Sequence, residues 1–388
     1  MGRYDGALDL RRKLHRAAEL SGEEKRTSAL VRDYLSALQP DSLHVGLGGH
    51  GVAAVFRGET DGPRILFRCE LDALPIPERS GEADASETPG VSHRCGHDGH
   101  MAIAAGLSSD LAERRLARGS VVVLFQPAEE TGAGARLVID DLAFTELRPD
   151  VAFALHNVPG YRLGTVVLRD GGFASTARSL RVDLKGRTAH AAEPEKGISP
   201  TAALAGILSE WPSVPHSTTA FEESALVTVV HARLGEPALG TSPGLATAIA
   251  TLRAHSEGVM DRLTRSCLGV AEGHARTHGL SIESEWLDEF PCTESDPLAN
   301  KIIEQVAVAT GLPVVRRDCP FAWTEDFGLL TKEFGGAMFG LGAGEEIAPL
   351  HHPDYEFPES LVVLGARLLR RIIDVLLETE GFWTQDRA

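Results

Sequence analysis

RILFRCEL, residues 64–71, is a short apolar run that closes on an acid, Glu70, with a second acid, Asp72, and then Pro75 just beyond it. Runs this short and this apolar have the pattern of strands buried on both faces, as in a sheet covered by helices. GVAAVFRG (51–58), SVVVLFQ (120–126) and DVAFALH (150–156) share the pattern, each bounded by Gly, Pro or charge. MAIAAGLSSDLAERRLA (101–117) lies between two of them as a helix, and LDLRRKLHRAAEL (8–20) and EEKRTSALVRDYLSAL (23–38) carry apolar residues at helical spacing upstream. Strands alternating with helices predict an α/β fold, a mixed or parallel sheet flanked by helices.

From about residue 178 the rhythm changes. SLRVDLKG (179–186) reads as a strand, SPTAALAGILSEW (199–211) as a helix, and SALVTVVHARLG (224–235) and LATAIATLRA (245–254) as two strands. A long helix, GVMDRLTRSCLGVAEGHARTHG (258–279), and a last strand, LSIESEWLDEF (280–290), complete the βαββαβ order of a ferredoxin-like unit. We expect this unit to be an insert spanning 178–287, with 1–177 and 288–388 forming one discontinuous domain. The α/β pattern resumes at NKIIEQVAVATG (300–311), AMFGLG (337–342) and ESLVVLGARLLRRIIDVLLE (359–378). The polar stretch ERSGEADASETPGVS (78–92) is expected to be a flexible loop.

The 388 residues, 43% hydrophobic and 24% charged, suit a soluble globular chain of two domains. A formal net charge of −17 argues against a nucleic-acid or anionic-membrane surface, either of which needs a basic face. The first residues, MGRYDGALDLRRKLHR, have no apolar leader core, and no window approaches the ~20 apolar residues of a membrane span, so a cytoplasmic location is expected. The cysteines, at 69, 95, 267, 292 and 319, are odd in number and scattered, which suits free thiols in a reducing compartment.

In open α/β sheets ligands bind beyond the carboxyl ends of the strands. There the sequence places Glu70 and Asp72, the pair Glu129–Glu130 after Pro127, His156 at the end of DVAFALH, and the octet HRCGHDGH (93–100) ahead of a helix. Cys, His and Glu are ligand types for zinc and related divalent ions, and several carboxylates together can hold two. Each residue has a plainer reading alone: His156 a core histidine, Glu129–Glu130 a solvated pair at a helix start, Cys95 a packing residue, His190 a surface-loop residue. Their co-occurrence at every strand end favours the metal reading. A thiol nucleophile is the competing chemistry, but His97 lying two residues from Cys95 is no support for it, and it leaves the carboxylates unexplained.

Nine stretches, in order, carry a resemblance to the metal-dependent amidohydrolases and peptidases that include aminoacylases, hippurate hydrolases and auxin-conjugate hydrolases. They are LRRKLHRAAELSGEEKRT, GLGGHGVAAVFRG, FRCELDALPIPE, HRCGHDGHMA, VLFQPAEETGAGA, ALHNVPG, GRTAHAAEPEKGISP, TEDFG and LHHPDYEF. The resemblance implies two divalent ions per chain, zinc or manganese with cobalt or nickel as further candidates, held by Cys95, His97, Glu130, His156 and His351. It implies Glu129 as the general base that draws a proton from a metal-activated water, with Asp72, Asp98 and Glu70 orienting the ligands from behind. It also implies that the insert is a lid and dimerisation surface, whose His190 reaches a partner's site in a homodimer and polarises the scissile carbonyl. The implied activity is hydrolysis of an N-acyl amino acid or related small amide. A dipeptidase or carbamoyl-amide hydrolase is the alternative on the same scaffold, and a non-catalytic metal-binding protein the alternative from another class.

Three positions depart from the family pattern. Glu70 stands where an aspartate is usual, Gly240 where relatives commonly place an asparagine that helps hold the substrate, and LHHP offers His352 beside His351. Arg253 matches a lid arginine and is a candidate anchor for a substrate carboxylate through a bidentate pair; a solvent-facing strand arginine is its plainer reading.

Overall fold

The computed structural model describes residues 2–79 and 84–383; residues 80–83 of the polar stretch expected to be a loop lie outside the described residues. The chain divides into two compact units. The first comprises Met1–Phe173, Thr293–Pro320 and Glu325–Ala388, and the second Ala174–Cys292 with Phe321–Thr324.

The first unit is built on an eight-stranded mixed sheet. Its first five strands are β1 (Ser42–Leu47), β2 (Gly51–Arg57), β3 (Thr60–Glu70), β4 (Arg118–Gln126) and β5 (Val151–Pro159), and a short β6 (Val166–Leu168) follows. The spatial order is β1-β2-β4-β3-β5, then Gly336–Gly344, β6 and Val314–Arg316. β3 runs parallel to both β4 and β5, so their carboxyl ends share one edge, with Glu70 beside Gln126. The runs expected to be covered on both faces are covered: β2, β4 and β5 are buried along nearly their whole length. Burying each large aliphatic or aromatic side chain of this sheet, such as Ile65 of β3, Val123 of β4 or Phe153 of β5, contributes about 1.5–3 kcal/mol.

Three details differ from the sequence reading. β1 was not expected; it pairs antiparallel with β2, which is itself antiparallel to β4. β5 continues to Pro159, so His156 lies inside the strand and not at its end. The helix after the octet, α3 (His97–Glu113), takes the octet's last four residues into its first turn. Gly96, at φ +90, turns the chain into α3, and a Cβ there would come 2.7 Å from the Asn157 side chain. At Gly99 a Cβ would meet the Phe357 ring at 2.4 Å, so only glycine lets the octet pack this closely. Two amphipathic helices, α1 (Asp5–Arg16) and α2 (Lys25–Ala37), and the C-terminal helix Ser360–Glu378 add apolar stripes to the same core.

The second unit has the βαββαβ order. Its four strands lie in the order Ala225–Leu234, Leu245–Ala254, Thr176–Lys185, Ser281–Phe290, all antiparallel. Leu245–Ala254 alternates buried and open positions, and the buried set packs with Met260 and Leu263 of the helix Glu257–Thr277. Trp211 is buried there, its indole N–H donating to Cys267 O at 2.9 Å. Ala225–Leu234 is an edge strand that exposes Leu226 and Val230.

All five cysteines are free, and no helix among the described residues is long and apolar enough to cross a membrane.

Candidate metal centre

At the carboxyl edge of β3, β4 and β5 the first unit brings together every metal-ligand candidate named from the sequence. Cys95 Sγ lies 3.5 Å from His156 Nε2 and 3.4 Å from His351 Nε2. Cys95 therefore belongs to two groups of converging donor atoms, one with His97 and His156 and one with Glu130 and His351. His97 Nε2 lies 3.8 Å from Glu130 Oε1 and 4.0 Å from Glu129 Oε2. Of the two adjacent histidines, His351 is the one whose ring reaches the cluster; His352 Nδ1 instead accepts from Asp354 N at 3.2 Å. His351 adopts φ +63, a strained backbone for a non-glycine residue, and its N–H is held by Arg94 O at 2.9 Å.

Two divalent ions fit these residues. A thiolate sulfur and an imidazole nitrogen bound to one tetrahedral zinc are about 3.5 Å apart, given bond lengths of about 2.3 and 2.0–2.1 Å. The two Cys95–histidine separations match that spacing. His97 Nε2 and Glu130 Oε1 are buried without a hydrogen-bond partner, which is costly unless something else, such as a cation, satisfies them. The far nitrogen of each buried ligand imidazole is fixed: His97 Nδ1 donates to Asp72 O at 2.9 Å and His156 Nδ1 to Asn157 O at 2.8 Å. Such outer bonds set the tautomer and leave Nε2 for the metal.

The carboxylate pair is presented by a turn held from below. Ala128 sits at φ +53, its N–H donating to Glu24 Oε1 at 2.8 Å, and Glu130 N donates to Asp72 Oδ2 at 2.9 Å. Glu24 is buried and also accepts from Gly22 N at 2.8 Å, so the loop between α1 and α2 clamps the turn. Burial, with Glu325 and Glu130 nearby, pushes the Glu129 carboxyl well above the usual carboxylate range. Burial raises Glu130 to about 7 against the pull of His97, and lifts the Cys95 thiol to about 12.

Glu70 converges with His97 and His100 as a third group of donor atoms. Its carboxylate accepts from His100 Nδ1 at 2.7 Å and pairs with the buried Arg68 guanidinium. Arg68 also pairs with Glu325, at 2.8 Å, and with Asp326, while its Nε donates to Gln126 at 3.0 Å. One buried cation thus serves Glu70, Glu325 and Asp326, with Glu129 at the edge of the same carboxylate group. Burial disfavours charge on Glu70, but Arg68 and His100 hold its pKa well below the usual range. Asp98 points its carboxylate away from the ligands, to His15 Nδ1 and Arg11 Nε, each at 3.0 Å. The imidazole it orients is His15, not a ligand.

Sequence reasoning did not single out Arg68, His100, Glu24, Glu325 or Asp326. Arg68 was visible as a charge inside an apolar run, and the acid pair as the TEDFG stretch. His190, Gly240 and Arg253 belong to the second unit. His190 is exposed, with its Nδ1 accepting from Ala192 N at 3.1 Å. Gly240 O accepts from Ala191 N at 2.9 Å, and a Cβ at 240 would meet nothing within 4 Å. The half-buried Arg253 guanidinium donates to Ala322 O at 3.3 Å and has no carboxylate partner among the described residues.

Comparison with known proteins agrees with this geometry. Residues 66–375 match the model of peptidase family M20/M25/M40. The chain is 30% identical over 374 residues to an N-acetylcysteine deacetylase of Bacillus subtilis, covering 96% of this chain and 97% of that one. It is 29% identical over 366 residues to an N-acetyldiaminopimelate deacetylase of Exiguobacterium sibiricum, covering 94% and 97%. A crystal structure of a dinuclear metal-binding M20 peptidase from Bacillus subtilis superposes with a TM-score of 0.83 at 28% identity, covering 97% of this chain and 99% of that one.

Proposed function

The chain belongs to peptidase family M20/M25/M40 and is a metal-dependent hydrolase of amide bonds; on that premise we propose that it removes the acyl group, an acetyl group in the first instance, from an N-acyl amino acid. The observation that carries this reading is Glu129, a buried carboxylate 4.0 Å from His97 and next to Glu130, placed beside donor clusters that share one thiol. Deacylase names among full-length relatives support the substrate class.

Cys95, His97, Glu130, His156 and His351 would hold two divalent ions. Those ions, when bound, supply Lewis acidity toward water and toward the amide carbonyl. Glu129 takes a proton from the attacking water and returns it to the amine nitrogen as the C–N bond breaks, leaving a carboxylic acid and an amine. A carboxyl whose pKa is raised by burial toward the working pH suits both halves of that transfer. We assign zinc ahead of manganese, cobalt or nickel, because a thiolate is a soft ligand.

The second unit is assigned the roles of lid and dimer surface. Its edge strand, with Leu226 and Val230 exposed, supports pairing with a second copy. His190 would then stabilise the developing oxyanion in the partner's site, and Arg253, lacking a carboxylate of its own, would take that of the substrate. A cytoplasmic setting accords with the free thiols. The test is amine release from N-acetyl amino acids, dipeptides and carbamoyl amides by protein stripped with chelator and resupplied with each metal. Release from N-acetyl amino acids only with metal, lost in Glu129→Gln at unchanged metal content, supports the reading. Preference for dipeptides or carbamoyl amides would shift it to those classes. Metal binding with no turnover of any substrate would overturn it in favour of a metal-binding protein.

A further inference from the structure

At the far end of α3 from His97, about 20 Å along the helix axis, a cavity of about 560 Å³ opens between Arg3 and Tyr4 just ahead of α1, the C-terminal helix, and Thr310 and Leu312. That volume falls in the range of small-molecule sites. In a chain of net charge −17 it is lined by five arginines and a single carboxylate, Asp110.

The five arginines do different things. Arg370 is buried and donates to the carbonyls of Asp110 and Arg114, at 3.2 and 2.7 Å, so it caps α3 and forms the floor. Arg3 pairs with Asp110 and Glu113, at 3.3 and 2.9 Å, and Arg114 pairs with Asp374 at 2.6 Å. Arg367 and Arg371 remain, exposed and one turn apart, and neither has a carboxylate partner among the described residues. Like charges at this spacing destabilise a helix by a few tenths of a kcal/mol, roughly, unless an anion lies between them.

Arg367 is also held in a way that leaves most of its donors open. Its guanidinium carbon lies 5.5 Å over the Tyr4 ring, and that ring is fixed by the Tyr4 hydroxyl donating to Asp110 at 2.7 Å. Tyr4 takes one hydrogen bond from the guanidinium at its hydroxyl, and stacking on the ring orients the rest of the planar fork, whose remaining N–H groups match the oxygens of a phosphate or carboxylate. Leu312, Leu364 and Leu368 supply an apolar wall beside the two cations.

We propose that this cavity is a binding site for a small organic phosphate monoester, whose dianionic head is held by Arg367 and Arg371 and whose apolar body packs against Leu364 and Leu368. Two guanidinium groups without acid partners favour a dianion over a monocarboxylate, and the apolar wall favours an organic ester over the free ion. The site is separate from the metal centre, and neither arginine takes part in amide hydrolysis.

The test is calorimetric titration of the metal-loaded enzyme with phenyl phosphate, inorganic phosphate and phenol. We expect saturable binding of phenyl phosphate, weaker binding of inorganic phosphate and none of phenol. Arg367→Ala/Arg371→Ala should weaken phenyl phosphate at least tenfold with kcat on the amide substrate unchanged. Arg371→Glu, which leaves the Tyr4 stack intact, should do the same and guards against a folding defect in the double variant. Phenyl phosphate that binds both variants as it binds the wild type is held elsewhere, at the metals for example, and overturns the proposal. So does binding no tighter than that of inorganic phosphate, or no saturable binding at all.

Discussion

Raising the pH should loosen the first unit through a single histidine. His15 lies mostly enclosed between two acids, its Nδ1 3.0 Å from Asp98 and its Nε2 3.0 Å from Glu78. Burial works against its charge, yet the two carboxylates outweigh it and raise the pKa from 6.5 to about 9. A group whose folded pKa is raised gives its full stabilisation below the unfolded value and loses it as pH climbs through the folded one, so the loss runs from about 6.5 to about 9. At 1.36 kcal/mol per pH unit the whole effect is about 3 kcal/mol. Two contacts reduce it: Arg11 stays 3.0 Å from Asp98 and Arg94 stays paired with Glu78, so neither acid loses its last cation when His15 loses its proton. A net loss of about 2 kcal/mol is the expectation, since a hydrogen bond to a charged group is worth roughly 1.5–3 kcal/mol. The assay is guanidinium unfolding of the metal-loaded protein from about pH 6 to pH 9.5, for the wild type and His15→Gln. Taking the difference between the two at each pH cancels every other titration. The wild-type advantage should shrink across this window; a constant advantage would refute a charged His15 held between the two acids.

Three other outcomes follow from the geometry. His351→Ala should lower metal content after dialysis, whereas His352→Ala should retain it, as measured by elemental analysis; equal loss from both would reverse the assignment. Glu24→Ala removes the acceptor for Gly22 and Ala128, so kcat should fall about tenfold or more with KM and metal content little changed, since a buried donor left unpaired costs about 1–3 kcal/mol. Gly99→Ala would press a methyl into the Phe357 ring at 2.4 Å, and its thermal midpoint should drop by several degrees, for overpacking costs about 1–3 kcal/mol; an unchanged midpoint would mean the ring moves freely.

What could be seen in the sequence follows from which forces leave a local trace. RILFRCEL, SVVVLFQ and DVAFALH announce themselves because burial on both faces removes alternation. β1 does not, since of its residues only Leu47 is buried and the rest carry no core pattern. The start of α3 was hidden because His97, Asp98 and His100 are polar yet buried, each bonded to a partner from another segment. The Arg68–Asp326 pair spans 258 positions, and no spacing rule reaches that far. Cys95, His97, Glu130 and His156 were legible as rare residue types clustered near strand ends and a helix start, and His351 only through the family resemblance. The turn that presents Glu129, and the loop that clamps it, became visible only once the chain was folded.

The order of strands in the first unit has a consequence for a chain emerging from the ribosome. Gly336–Gly344 lies between β5 and β6, and it is made long after both of them. Until it arrives, β5 presents an unpaired edge in a largely apolar strand, the kind of surface that pairs with other chains. The second unit lacks only Phe321–Thr324 by the time residue 292 is out, so it is poised to form first. His351 follows the late strand, and so the five candidate ligands cannot assemble on a partial chain. A nascent chain stalled between residues 325 and 335 would therefore carry every residue of the second unit, an open sheet and no complete place for its metals, which makes the stretch from 336 to 351 the one that completes the sheet and the candidate ligand set.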